Sequence, residues 1–348
     1  MKGKTPAERA NLIFTYASWF EEPTFVLIDH SRYDAHWNEH IQRQEHLLYL
    51  RANARSYELK KLLTWQKKNR CKSQGGVEYC FWCKRGSGEV TTSCGGSGVQ
   101  VGAVDGWLSY SGMMKALAEG DPDWESAPPL EAVFYLDGDD AGVIIEKRLL
   151  KWLVPVNEYM LSLGLETECT FTDDIWKVEF CQSRPCLLPG GISFVRNPYK
   201  VLATLGRTAQ ARDDASMRMV LRASALSELA IEPGCPVTNA YAKRVHAYYG
   251  DGRVMLDGDS DFKQERIGMK LTDVAVDSVP EPDLMARVTY ARAWDISPGE
   301  QEMLEAVPLQ FYVPRGKERK ERVSQVTYGA LPLEVDDLGF VAAVCECG

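Results

Sequence analysis

The chain of 348 residues contains no apolar run long enough to cross a bilayer. Its N-terminus, "MKGKTPAERANLIF", is basic but lacks the apolar core of a signal peptide. It has no internal repeat and no low-complexity tract. Positive charge is short: 40 Lys and Arg against 49 Asp and Glu leave a net charge of −9. That excludes a surface that attracts nucleic acid all over and leaves room only for a local basic groove. With no secretion signal, the ten cysteines read as reduced thiols in a cytosolic compartment, not as a disulfide framework. Asparagine is missing between Asn69 and Asn157, and "GLETECTFTDD" (164–174) lacks any lysine. What is present is ordinary for a globular protein. At 45% hydrophobic and 26% charged, the chain can bury the core of one large domain or two medium ones.

The pattern along the chain alternates strands and helices. "TFVLI" (24–28) is β-branched and apolar, which predicts a buried strand. Residues 33–54 hold no Pro or Gly and repeat Ile41, His46, Leu47 and Leu50 at helical spacing, which predicts a helix. "GGVEYCFWCK" (75–84) reads as one arm of a hairpin, and "RGSGEVTTSCGGSG" (85–98) as a loop that lets backbone approach a ligand. A helix is expected over 99–119 and a surface loop over 119–129. "FYLDGDDAGVII" (134–145) has apolar arms around a Gly-Asp turn, a hairpin with its tip at Gly138-Asp139. A helix is expected over 146–163, ended by Gly164, and a strand over 175–183. Asn-Pro at 197–198 starts a helix, and most of 200–250 reads as helical.

The chemistry lies in acids. Asp29 ends the first strand, Asp34 follows five residues on, and Asp139 and Asp140 sit at the hairpin tip. Should strand and hairpin be neighbours, Asp29, Asp139 and Asp140 converge. Carboxylates so clustered repel one another unless cations neutralise them. Acid oxygens suit Mg²⁺ or Mn²⁺, and two such ions clamp the attacking and leaving oxygens of a phosphoryl transfer. A bare Gly-Asp-Asp is by itself usually a surface turn. The rest of the chain adds weight.

"KGKTPAERA" (2–10), "DHSRYDAH" (29–36), "SGEVTT" (87–92), "GDD" (138–140), "VEFCQSRP" (178–185) with "FVRNPYKVL" (194–202), and "LAIEPGCPV" (229–237) follow one another in a fixed order. In this order they resemble the palm and thumb of a viral RNA-dependent RNA polymerase of the tombusvirus-like group. The resemblance implies an α+β fold: a palm over 1–195 whose antiparallel sheet carries motifs A, C and E, a mostly helical thumb over 196–310, and a C-terminal segment, 311–348. It implies template-directed RNA synthesis in replication of a positive-strand RNA virus, with two Mg²⁺ or Mn²⁺ ions on Asp29, Asp139 and Asp140. Asp34, Ser87, Gly88 and Thr92 would meet the nucleotide and its ribose. Phe180, Cys181 and Gln182 would grip the primer end, and Arg196 and Lys200 would touch RNA phosphates. The partners implied are template and primer RNA and nucleoside triphosphates. The place implied is the host cytoplasm, at replication membranes reached through regions outside this segment.

Three departures stand out. The family's motif B carries an Asn four residues after its Thr, where this chain has Gly96. Ribose selection would then rest on Asp34 with a hydroxyl such as Thr91, Ser93 or Ser97. The family's general-acid lysine has no counterpart in 164–174, and Lys177 is the nearest basic group. The family's basic fingers region precedes motif A, whereas the sequence starts just short of it. A separate or preceding fingers segment is therefore expected, with weak RNA binding and poor polymerisation by these residues alone. The alternatives are a catalytically silent palm-like module that binds RNA or protein, and one subunit of a divided polymerase. A reverse transcriptase fits the motif A and "EFCQ" stretches less well. "CFWC" (80–83) is one close cysteine pair where a zinc site needs two, so buried thiols on a strand are expected. "DGDSD" (257–261) lacks the Gly and Glu of a calcium loop, and "RGKERKER" (315–322) reads as a solvated helix face.

Overall fold

The computed structural model describes residues 1, 3–72, 76–86, 88–205, 213–250, 252–254 and 270–307, with the backbone of 325–328 and 331–334. Ser87, the 257–261 and 315–322 stretches and most of 311–348 lie outside the described residues. The chain divides into two compact units, 1–2 with 13–181 and 3–12 with 182–348. Helix α1 (Pro6–Ala17) begins in the second and ends in the first.

The first unit is built on a four-stranded antiparallel sheet. Its strands are β1 (Pro23–His30), β4 (Ala132–Asp137), β5 (Asp140–Glu146) and β6 (Thr167–Thr172), in the order β4-β5-β1-β6. Strands β2 (Lys68–Lys72) and β3 (Glu78–Trp82) form a separate hairpin. Its α-helices beyond the end of α1 are, among the described residues, α2 (Tyr33–His36), α3 (Glu39–Ala52), α4 (Tyr57–Trp65), α5 (Thr92–Ala118) and α6 (Val156–Ser162). One face of the sheet buries Val26, Ile28, Val143 and Ile145 against Val104, Trp107 and Met160 of α5 and α6. This is the expected α+β layering of helices on an antiparallel sheet.

Several elements depart from the expected boundaries for local reasons. The helix expected over 33–54 is two, because the Asn38 side chain accepts from the amides of His40 and Ile41 and starts a new helix. The loop expected over 85–98 is helical from Thr92, so α5 takes in Gly95, Gly96 and Gly98. Over 146–163 a 3-10 turn (Lys147–Trp152) precedes α6, with Pro155 at the break. The strand expected over 175–183 opens with a 3-10 turn at Ile175–Lys177; Val178 is extended, Phe180 forms an isolated bridge, and the regular strand begins at Ser183.

The second unit holds a two-stranded hairpin, β7 (Ser183–Leu188) and β8 (Gly191–Arg196). The resemblance implied one sheet for motifs A, C and E; among the described residues β7 and β8 pair with each other and not with the strands that lead to Asp29 and Asp139. Helices α7 (Pro198–Thr204), α8 (Asp214–Ile231), α9 (Thr238–Tyr249), α10 (Leu284–Trp294) and α11 (Pro298–Ala306) follow. Leu221, Ala225 and Leu229 of α8 pack on Tyr241, Ala242 and Val245 of α9. Among the described residues no helix is long and apolar enough to cross a membrane.

Candidate active site

The site grows from strand register. β1 pairs antiparallel with β5 from Pro23↔Glu146 to Ile28↔Ala141. One step further, Asp29 comes opposite Asp140. On the other side of β5, Asp137 pairs with Asp140, and the two-residue turn between them is Gly138-Asp139. Gly138 has φ +73°, and Asp139 is not among the positive-φ residues. That pattern belongs to a II′ hairpin turn, which takes Gly at its first central position. The hydroxyl of Ser97, on α5, accepts from the Gly138 amide at 2.9 Å and ties the motif B helix to the turn.

Asp29 and Asp139 are exposed and Asp140 is half-buried. Two of the three thus lie at the surface, open to a ligand. Burial, then the charges of Asp139 and Asp29, push the Asp140 carboxyl up to about 6, while a hydrogen bond from Cys181 opposes the rise. A carboxyl held above its ordinary range by its neighbours is relieved by a cation placed among them. Among the described residues no three His, Cys, Asp or Glu side chains are closed into a ready ligand set. The donor set consists of acid oxygens only and fits a hard divalent ion.

A buried layer supports the acids. His30, next to Asp29, is buried; its Nε2 lies 2.8 Å from Gln100 Oε1 and its Nδ1 2.7 Å from Thr167 Oγ1. Burial lowers its pKa, so the ring is neutral. Tyr33 stacks on His30 with ring centroids 5.2 Å apart, and its hydroxyl donates to the Gly96 carbonyl at 3.1 Å. The position where the family carries Asn is thus tied to motif A through its backbone.

Arg85 organises the turn that leads into α5, and sequence reasoning missed it. Its Nη2 donates to Glu45 Oε2 at 2.5 Å, and both side chains are 2% exposed. Its Nη1 donates to Thr91 Oγ1 at 2.5 Å, and its amide donates to the Asp34 carbonyl at 3.2 Å. The guanidinium sits 4.2 Å from the centre of the Trp37 ring. A Cβ on Gly95 would run into the Glu45 carboxylate, so a glycine is needed there. One cation therefore joins α3, the Asp34 backbone and the start of α5.

The remaining expected residues fall as follows. Asp34 is half-buried beside this hub. Gly88 is exposed in the loop, and Thr92 opens α5 with its hydroxyl donating to the Gly86 carbonyl at 2.9 Å. Of the hydroxyls considered for ribose selection, Thr91 is held by Arg85 and by Gln66, the Ser93 Oγ is buried without a partner, and Ser97 borders the Gly138 turn. Phe180 is buried edge-on against Tyr135, 5.2 Å between centroids, and so packs beneath the acidic hairpin. Cys181 and Gln182 both have positive φ, 51° and 56°. In the second unit Arg196 is ion-paired with Glu228 and its amide donates to Glu232, whereas Lys200 is exposed on the first turn of α7. Arg196 is thus already engaged by acids. The two "CFWC" thiols expected to be buried divide: Cys83 is buried and Cys80 exposed, and neither is in a disulfide.

A family model described as viral RNA dependent RNA polymerase matches residues 1–313. The chain belongs to this family. Among its relatives, the RNA-directed RNA polymerase of tomato bushy stunt virus (strain Cherry) is 29% identical over 257 residues, covering 71% of this chain and 29% of the relative. That of oat chlorotic stunt virus is 25% identical over 337 residues, covering 89% of this chain and 41% of the relative. That of turnip crinkle virus is 26% identical over 317 residues, covering 88% and 38%. The chain thus spans less than half the length of these relatives.

Proposed function

We propose that this chain carries the nucleotidyl-transfer centre of RNA-directed RNA synthesis, using template and primer RNA and nucleoside triphosphates in virus replication. The observation that supports it most is the juxtaposition on the sheet: Asp29 opposite Asp140, with Asp139 at the adjoining tip and the Asp140 carboxyl pushed up to about 6 by its neighbours. Asp29 and Asp139 would hold two Mg²⁺ or Mn²⁺ ions, with Asp140 assisting. Such ions, when bound, supply the charge that acidifies a primer 3′-hydroxyl and stabilises the leaving pyrophosphate.

The protein's own part is orientation. Ser97 holds the Gly138 turn so that Asp139 projects from a fixed hairpin. His30, kept neutral, props the end of β1 through Gln100 and Thr167 without adding a charge beside Asp29. Arg85 sets the Asp34 backbone against the start of α5, where nucleotide and ribose would lie. For ribose selection we favour Ser97, because it borders the acidic turn and its hydroxyl retains a proton to donate. Deoxynucleotide incorporation equal to ribonucleotide incorporation would refute that assignment. For the reaction itself, Asp139→Asn should abolish nucleotide addition and leave RNA binding intact. RNA binding by the parent with no nucleotide addition, unchanged in the variant, would instead favour a silent RNA-binding module.

A further inference from the structure

The chain is acidic overall, yet between Leu59 and Val77 it carries Lys60, Lys61, Lys67, Lys68, Arg70 and Lys72 and no acid. This stretch is the end of α4 and the first strand of the β2–β3 hairpin. The hairpin stands outside the four-stranded sheet and, among the described residues, pairs with no other strand. Its register places Lys68 opposite Trp82, Arg70 opposite Cys80, and Lys72 opposite Glu78. Residues directly opposite in an antiparallel pair share a face, so Lys68, Arg70, Lys72 and Trp82 lie on one side.

That face is open. Lys68, Arg70 and Lys72 are all exposed, and Trp82 is 55% exposed. Lys72 is partnered by Glu78 at 3.0 Å, but Lys68 and Arg70 make no ion pair among the described residues. On the neighbouring helix α4, Lys60 and Lys61 are likewise exposed and Trp65 is 63% exposed. A large aromatic left in water beside unneutralised cations is not explained by packing. Alternate residues along a strand are about 6.6 Å apart, so a row of cations at that spacing follows an extended polyanion. Bases of any sequence stack on aromatic rings, and a basic groove beside such rings is how single strands are held without sequence reading.

We propose that the Lys68–Arg70–Trp82 face of the β2–β3 hairpin is a binding platform for single-stranded RNA, with the cations on phosphates and Trp82 stacked on a base. The proposal rests on the polymerase reading for the source of the strand, but its test is separate. Binding of a fluorescent single-stranded oligoribonucleotide to the full chain is followed by anisotropy across a salt series. Removing one cation from a phosphate flattens the log–log salt slope by about 0.7. Lys68→Ala with Arg70→Ala should therefore weaken binding about tenfold or more at low salt and flatten the slope by about 1.4. Trp82→Ala should weaken binding with the slope unchanged. All three positions are exposed, so thermal melts of the variants should match the parent. Unchanged affinity and slope in the double variant would overturn the platform. So would variants that no longer bind phosphatidylserine vesicles while RNA binding stays as in the parent, which would assign the face to a membrane. Asp139→Asn, run in parallel, tests nucleotide addition alone, so failure of the platform and failure of the polymerase reading give different results.

Discussion

At the scale of single residues, the buried Arg85–Glu45 pair is the interaction most open to disruption. Removing one partner of a desolvated pair strands the other charge and costs about 3–5 kcal/mol. Glu45→Ala should therefore destabilise the chain by about that amount in urea denaturation. Gly95→Ala, which drives a methyl into the same carboxylate, should cost about 1–3 kcal/mol. Titration gives a second prediction with two opposing signs. His30 and His46 are buried, which lowers both pKa values below 6.5. Their contribution to stability is full above pH 6.5 and is lost as the pH falls through their lowered folded values. Asp140 works the other way. Its contribution is full below 3.8 and is lost as the pH rises toward about 6. Asp140→Asn should thus raise the melting temperature of the metal-free protein by about 2 °C at pH 7.5 and leave it unchanged at pH 4. Melting curves of both proteins at the two pH values check this.

At the scale of elements, the acidic hairpin is the most legible feature. Its apolar arms and Gly-Asp tip specify a strand pair from local chemistry alone, and both the turn and its neighbour β1 stand where the pattern puts them. Gly138→Ala, which must place a Cβ at φ +73°, should cost about 1–2 kcal/mol and slow nucleotide addition by misplacing Asp139. Less legible are features set by distant partners. The Gly-rich start of α5 reads locally as a loop, and it is a helix because Gly95 admits Glu45 and Gly96 receives Tyr33. Arg85 is invisible as a site residue, since nothing in "KRGSG" tells that its partner is a glutamate forty residues upstream. The burial of Phe180 against Tyr135 is likewise a property of packing that its place in a motif does not reveal.

At the scale of the whole molecule, a net charge of −9 argues for weak affinity for RNA. Net charge averages over the surface, and the β2–β3 hairpin shows how a chain can be acidic overall and basic where a strand would lie. Composition cannot reveal this, because only the cross-strand register brings Trp82 beside Lys68. The central claim remains the metal-bearing acids, and it comes down to one comparison. Addition of a single labelled ribonucleotide to a primed RNA is measured against Mn²⁺ concentration for the chain and for Asp139→Asn. Addition should rise with Mn²⁺ and fall by at least about 100-fold in the variant. Equal addition by both proteins, or addition indifferent to Mn²⁺, would contradict the claim.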